Sequence, residues 1–130
     1  MKFAIAVFSP PYAPATRRAL RFTEAALAAG HEIVRVFFYG EGVHNASANL
    51  VVPQDEQNIG AQWQALIHAH ALDGVVCIAA ALRRGVLNTE EATRWARPAA
   101  NAVATLELSG LGQLHEAVQG ADRLMCFGGD

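Results

Sequence analysis

Two cysteines, Cys77 and Cys126, carry the most reactive chemistry in this 130-residue sequence. They lie far apart, in neither a CxxC pair nor a zinc-ligand spacing. Cys77 closes the apolar run Asp73-Gly74-Val75-Val76-Cys77-Ile78 and is followed by Ala79-Ala80-Ala81-Leu82-Arg83-Arg84, which reads as one or two helical turns. A thiol at a helix N-terminus meets unpaired N–H groups and the positive end of the helix dipole. Both favour the thiolate, which is the nucleophile. The alanines leave room for a bound sulfur or an inserted partner side chain. The other reading of Cys77 is a buried core cysteine, since a thiol also packs as a small hydrophobe. Residue types leave both readings open.

The remaining polar candidates are weaker. Arg83 and Arg84 lie roughly 9–10 Å along a helix axis from Cys77, too far to pair with its thiolate. They suit an acidic partner, a second subunit or a solvated, salt-bridged turn. Cys126, between Met125 and Phe127, reads as core packing. His68 and His70 diverge by roughly 200° on a helix. His31 follows Gly30 and reads as a contact at a helix end, and His44 lies in a long loop from which it could approach Cys77. No Ser–His–Asp set and no metal-ligand set can be assembled, and no cofactor is implied. Pro10, Pro11 and Pro14 withhold N–H groups where a phosphate cradle would need them. Gly110-Leu111-Gly112 is a helix start, with His115 where a third dinucleotide-binding glycine would stand.

The elements that position these groups follow from apolar periodicity. Continuous apolar runs at Phe3–Phe8, Ile33–Tyr39, Asp73–Ile78, Thr105–Leu108 and Arg123–Phe127 read as strands of a covered parallel sheet. Helical patterns lie between them. Ala15–Ala29 ends at Gly30. Ile59, Trp63, Leu66, Ile67 and His70 form one stripe, with Asp55 or Asn58 as cap. Asn88-Thr89-Glu90-Glu91 opens a short helix that stops before Pro98. A last helix begins at Ser109, with Leu111, Leu114 and Val118 inward. This alternation predicts one α/β domain over residues 1–130, a three-layer α/β/α with a mostly parallel five-stranded sheet of open strand order. Functional groups then collect at the carboxyl ends of the strands, in Ser9–Thr16, Tyr39–Asn58 and Cys77–Gly85.

Composition narrows the function class. A net charge of −2 with scattered Lys and Arg lacks the footprint of direct nucleic-acid binding. No run approaches the roughly 20 apolar residues of a membrane span. The apolar start Met1–Phe8 is too short for a signal core, so the chain reads as cytoplasmic. Hydrophobic content of 52% against 17% charge points to surface covered by a partner.

Three stretches together resemble the TusD/DsrE family. They are Val36-Phe37-Phe38-Tyr39 with Glu41-Gly42-Val43 and Asn45-Ala46; Cys77-Ile78-Ala79-Ala80-Ala81-Leu82-Arg83-Arg84-Gly85-Val86; and Ser109-Gly110-Leu111-Gly112-Gln113-Leu114 with Ala121-Asp122-Arg123. The resemblance implies a DsrE-like fold and a sulfurtransferase that carries sulfane sulfur as a persulfide on Cys77. It implies assembly with TusB-like and TusC-like subunits into a heterohexamer, a TusA-like donor and a TusE-like acceptor. The end product is 2-thiouridine at the tRNA wobble position, or, in the DsrE branch, sulfur oxidation. A non-catalytic scaffold subunit of the same complex, or a small flavodoxin-like nucleotide binder, is the alternative. The resemblance assigns no role to Cys126 or His44.

Overall fold

The computed structural model describes residues 1–129; Asp130, the last residue of the expected domain, lies outside them. Strands β1 (Lys2–Val7), β2 (Glu32–Phe38), β3 (Gly74–Cys77), β4 (Glu107–Ser109) and β5 (Arg123–Phe127) form one sheet in the order β4-β3-β2-β1-β5. Every neighbouring pair is parallel. The apolar runs are continuous because both faces of the inner strands are covered. Ile5 and Val7 on one face of β1, and Ala4 and Ala6 on the other, are all buried.

Helices α1 (Pro14–Ala28), α2 (Ile59–Ala69), α3 (Ile78–Arg83), α4 (Thr89–Arg94) and α5 (Gly112–Gly120) connect the strands. The chain steps from β1 outward to β4, then returns across the sheet to the free side of β1. Right-handed crossovers running in opposite directions place their helices on opposite faces. Accordingly α1 packs with α2, and α5 covers β1 and β2 from the other face. Within the core, Trp63 of α2 meets Phe38 edge-on at 5.5 Å.

Local signals act at positions the sequence offers, and of the two cap candidates for α2, Asp55 and Asn58, it is Asn58 that serves. Asn58 Oδ1 accepts from the Ala61 N–H at 3.0 Å and caps α2. Asn88 Oδ1 accepts from the Glu91 N–H at 2.9 Å and caps α4. Gly30 has φ +86°, the left-handed conformation that a residue just past a helix end adopts.

Five expectations need correction. The fourth strand, expected at Thr105–Leu108, runs over Glu107–Ser109, because Thr105 and Leu106 still belong to the turn that leads into it. Ser109 ends β4 instead of opening the last helix, which starts at Gly112. Leu111 and Val118 are 51% and 39% exposed, because Ala117 and Leu114 are the residues of α5 that turn toward the sheet. His70 is exposed as the cap residue of α2 and leaves the apolar stripe. Cys126 is exposed, not core, because β5 is an edge strand and α5 packs mainly over β1 and β2.

Candidate functional site

Cys77 is the last residue of β3 and the N-cap of α3, with φ −61° and ψ 116°. The strand-to-helix handover read from the sequence is therefore present. Its side chain makes no capping hydrogen bond and the residue is 1% exposed. It packs in the core cluster that includes Val43, Ala46, Ala80, Ala81 and Val86. The two readings of Cys77 thus meet in one residue: its backbone sits at a functional position and its thiol is shielded.

The long connection after β2 supplies much of the surroundings. It opens with a 3-10 segment, Gly40–Ala46, that packs against β3 and α3. Two features fix this segment, one to β1 and one to the loop that follows β1. A Cβ on Gly42 would overlap the Val7 carbonyl oxygen, so only glycine permits the close approach. Buried Asn45 donates from Nδ2 to the carbonyl oxygens of Ser9 (3.2 Å) and Gly42 (2.9 Å). That orientation leaves Asn45 Oδ1 without a hydrogen-bond partner among the described residues.

Glu41 joins the segment to α3. Arg84 Nε donates to Glu41 Oε1 at 2.8 Å, and Arg84 Nη1 donates to the Ala80 carbonyl at 3.1 Å. His44 Nε2 lies 3.2 Å from Glu41 Oε2, an ion pair when the imidazole is protonated. The Arg84 hydrogen bond, aided by the charges of Arg84 and His44, holds the Glu41 carboxyl below its ordinary range despite partial desolvation. His44 is thus engaged by Glu41, Arg84 forms a salt-bridged turn, and Arg83 is exposed. The sequence reading missed Glu41. Its proximity to His44 at i+3 was visible, but its pairing with Arg84 depends on the third dimension.

The loop after β1 closes on itself. Thr16 Oγ1 lies 2.7 Å from Ser9 Oγ and within 2.9 and 2.6 Å of the Ser9 and Pro10 carbonyl oxygens. Beside it runs a groove of about 410 Å³ lined by Tyr12, Arg17, Val51 and Asp55, among others, but not by Cys77. No group of three or more His, Cys, Asp or Glu side chains stands together among the described residues. No described helix is long and apolar enough to cross a membrane.

Residues 1–127 match the model of the DsrE/DsrF-like family. The chain belongs to that family. Among its relatives, the sulfurtransferase TusD homolog of Pseudomonas aeruginosa is 70% identical over 130 residues, covering 100% of this chain and 99% of that protein. A DsrE protein of Allochromatium vinosum is 46% identical over 129 residues, covering 98% and 99%. Sulfurtransferase TusD of Salmonella arizonae is 43% identical over 128 residues, covering 98% and 100%. The crystal structure of the ychN protein from E. coli superimposes with a TM-score of 0.74 at 16% identity, covering 97% of each chain, and so shares the fold. The DsrE/DsrF-like assignment agrees with the all-parallel α/β sheet and with the resemblance carried by the segment after Cys77.

Proposed function

We propose that this chain, one domain over residues 1–130, is a relay sulfurtransferase that accepts sulfane sulfur on Cys77 and hands it to a partner protein. One observation carries the reading. The segment Cys77-Ile78-Ala79-Ala80-Ala81-Leu82-Arg83-Arg84 stands at a strand-to-helix handover in a chain 70% identical, end to end, to a protein named as a sulfurtransferase. In the transfer, the Cys77 thiolate attacks the terminal sulfur of a donor persulfide. The new Sγ–S bond forms as the donor's S–S bond breaks, and the donor leaves as a thiolate carrying the electron pair. Attack by an acceptor thiolate on the Cys77 persulfide repeats the exchange and restores the Cys77 thiolate. No net oxidation occurs, so neither step consumes a metal or an organic cofactor.

By family likeness, the donor is TusA-like, the acceptor is TusE-like, and TusB-like and TusC-like subunits complete a cytoplasmic heterohexamer. The pathway leads to 2-thiouridine at the tRNA wobble position. Identity of 46% to a DsrE protein, beside 43% to a TusD, keeps the sulfur-oxidation role as a second reading. The burial of Cys77 favours a third, a scaffold subunit with an inert thiol.

Intact mass after incubation with a persulfide donor decides between carrier and scaffold. The carrier gains one sulfur atom, keeps that gain in Cys126→Ser and loses it in Cys77→Ser. A wild-type chain that gains nothing within its assembled complex is a scaffold. Co-purification with small homologous subunits tests the partners.

A further inference from the structure

We propose that the Glu41–Arg84 contact is a latch that keeps α3 closed and thereby sets how often Cys77 is exposed, an inference that rests on the reading of Cys77 as the sulfur carrier. Transfer between proteins requires a second sulfur to approach Cys77 Sγ, yet the residue is 1% exposed. Some element packed beside the thiol must therefore move before transfer.

The structure distinguishes which element can give. The 3-10 segment is held by the close packing of Gly42 on β1 and by the Asn45 hydrogen bond to Ser9, while the Asn45 bond to Gly42 braces the segment internally. Helix α3 is held more lightly. Its fully buried residues are only Ala80 and Ala81, with Ile78 and Leu82 half-buried, so moving it uncovers less apolar surface than a helix seated on fully buried branched or aromatic side chains would. It also lies between two firm points. At one end Cys77 is in register in the sheet beside Ser109. At the other, Asn101 receives the Leu87 N–H at 2.8 Å and donates to the Gly85 carbonyl at 2.9 Å. Gly85, with φ +73° and open space where a Cβ would stand, provides a joint just past the helix.

Arg84 is the tie across this arrangement. Its guanidinium grips a carbonyl of α3 with one nitrogen and the fixed segment's Glu41 with another. Swinging α3 away from the 3-10 segment separates Arg84 from Glu41. Arg84 and Glu41 are positioning residues, acting on Cys77 through the helix and not by contact with sulfur.

The test is timed alkylation of the full chain with iodoacetamide, with Cys77 and Cys126 read separately by peptide mass. Exposed ion pairs are weak, so E41Q and R84M are expected to speed Cys77 by about twofold to fivefold. Cys126 is the internal control and keeps its wild-type rate. The charge-swapped E41R/R84E chain returns Cys77 toward the wild-type rate. High salt speeds Cys77 in the wild type but not in E41Q. Thermal melting guards against general loosening: acceleration of both cysteines with a lowered melting temperature overturns the latch. So does a Cys77 rate that stays at the wild-type value in both single variants, or an acceleration that the swap leaves in place. None of these readouts uses a sulfur donor. A latch that passes while persulfide loading fails therefore removes the relay reading alone, and the reverse result removes the latch alone.

Discussion

Cys77 and Cys126 are the same residue type near the carboxyl ends of two strands of one parallel sheet, and they end in opposite environments. β3 has a strand on each side, and the 3-10 segment and α3 pack against its end. β5 has β1 on one side and, among the described residues, no strand on the other. Met125 and Phe127 point to the face where α1 packs, with Phe127 5.7 Å from the Phe22 ring. Strand alternation turns Leu124 and Cys126 to the other face, where α5 has settled over β1 and β2. Apolar neighbours in sequence therefore say little about a strand residue's burial. Sheet position and helix placement decide it.

The contrast is broken most directly by chemistry. In the folded wild type, a small alkylating reagent is expected to modify Cys126 about a hundredfold or more faster than Cys77, the protection that local opening of a core site gives. In denaturant the two rates converge. Equal rates in the native protein, read by peptide mass, would falsify the assignment of a sealed Cys77.

Side-chain bulk gives a smaller and independent measure. Cys77→Leu forces extra volume into a filled core and should lower unfolding stability by about 1–3 kcal/mol. Cys126→Leu, at the open edge, should stay within about 0.5 kcal/mol of wild type. Chemical denaturation of both variants tests the pair, and an equal loss in the two would remove the distinction.

The smallest effect is electrostatic and touches the α3 region. The folded Glu41 carboxyl titrates below its ordinary value of 4.5, chiefly through its hydrogen bond from Arg84. A depressed carboxylate contributes stability that is fully present above the unfolded value and is lost as pH falls through the folded one. The wild type should therefore exceed E41Q in melting temperature at neutral pH, by a margin that shrinks as pH drops below 4.5. A margin that widens in acid would contradict the Arg84 contact.

Much of this architecture was legible in the residues. β1, β2 and β3 announce themselves because their apolar runs are unbroken, whereas β4, expected at Thr105–Leu108, forms over Glu107–Ser109 because its run is broken by Glu107. Asn88 marks a helix start, and Asn58 is one of two cap candidates for another, because such side chains compete for free N–H groups. β5 was placed at its observed bounds, Arg123–Phe127. The C-terminal third misled because β5 is an edge and α5 is rolled toward Ala117, and neither fact has a local signature. Spacing made Leu111 and Val118 look like core, while a single small residue made the closer contact. The site divides the same way. The handover at Cys77 was readable from a strand run meeting alanines. Its burial and the Glu41–Arg84 tie were not, since both arise where two strand-end segments far apart in sequence come together.

The open border of β5 also makes the molecule self-reporting. Leu124 and Cys126 share that border, so any subunit seated there screens the thiol from solvent. How quickly Cys126 takes up a label thus gauges occupancy of the border, with no tag, dye or added mutation. An alkylation time course run across a dilution series would show whether the chain travels alone or in company.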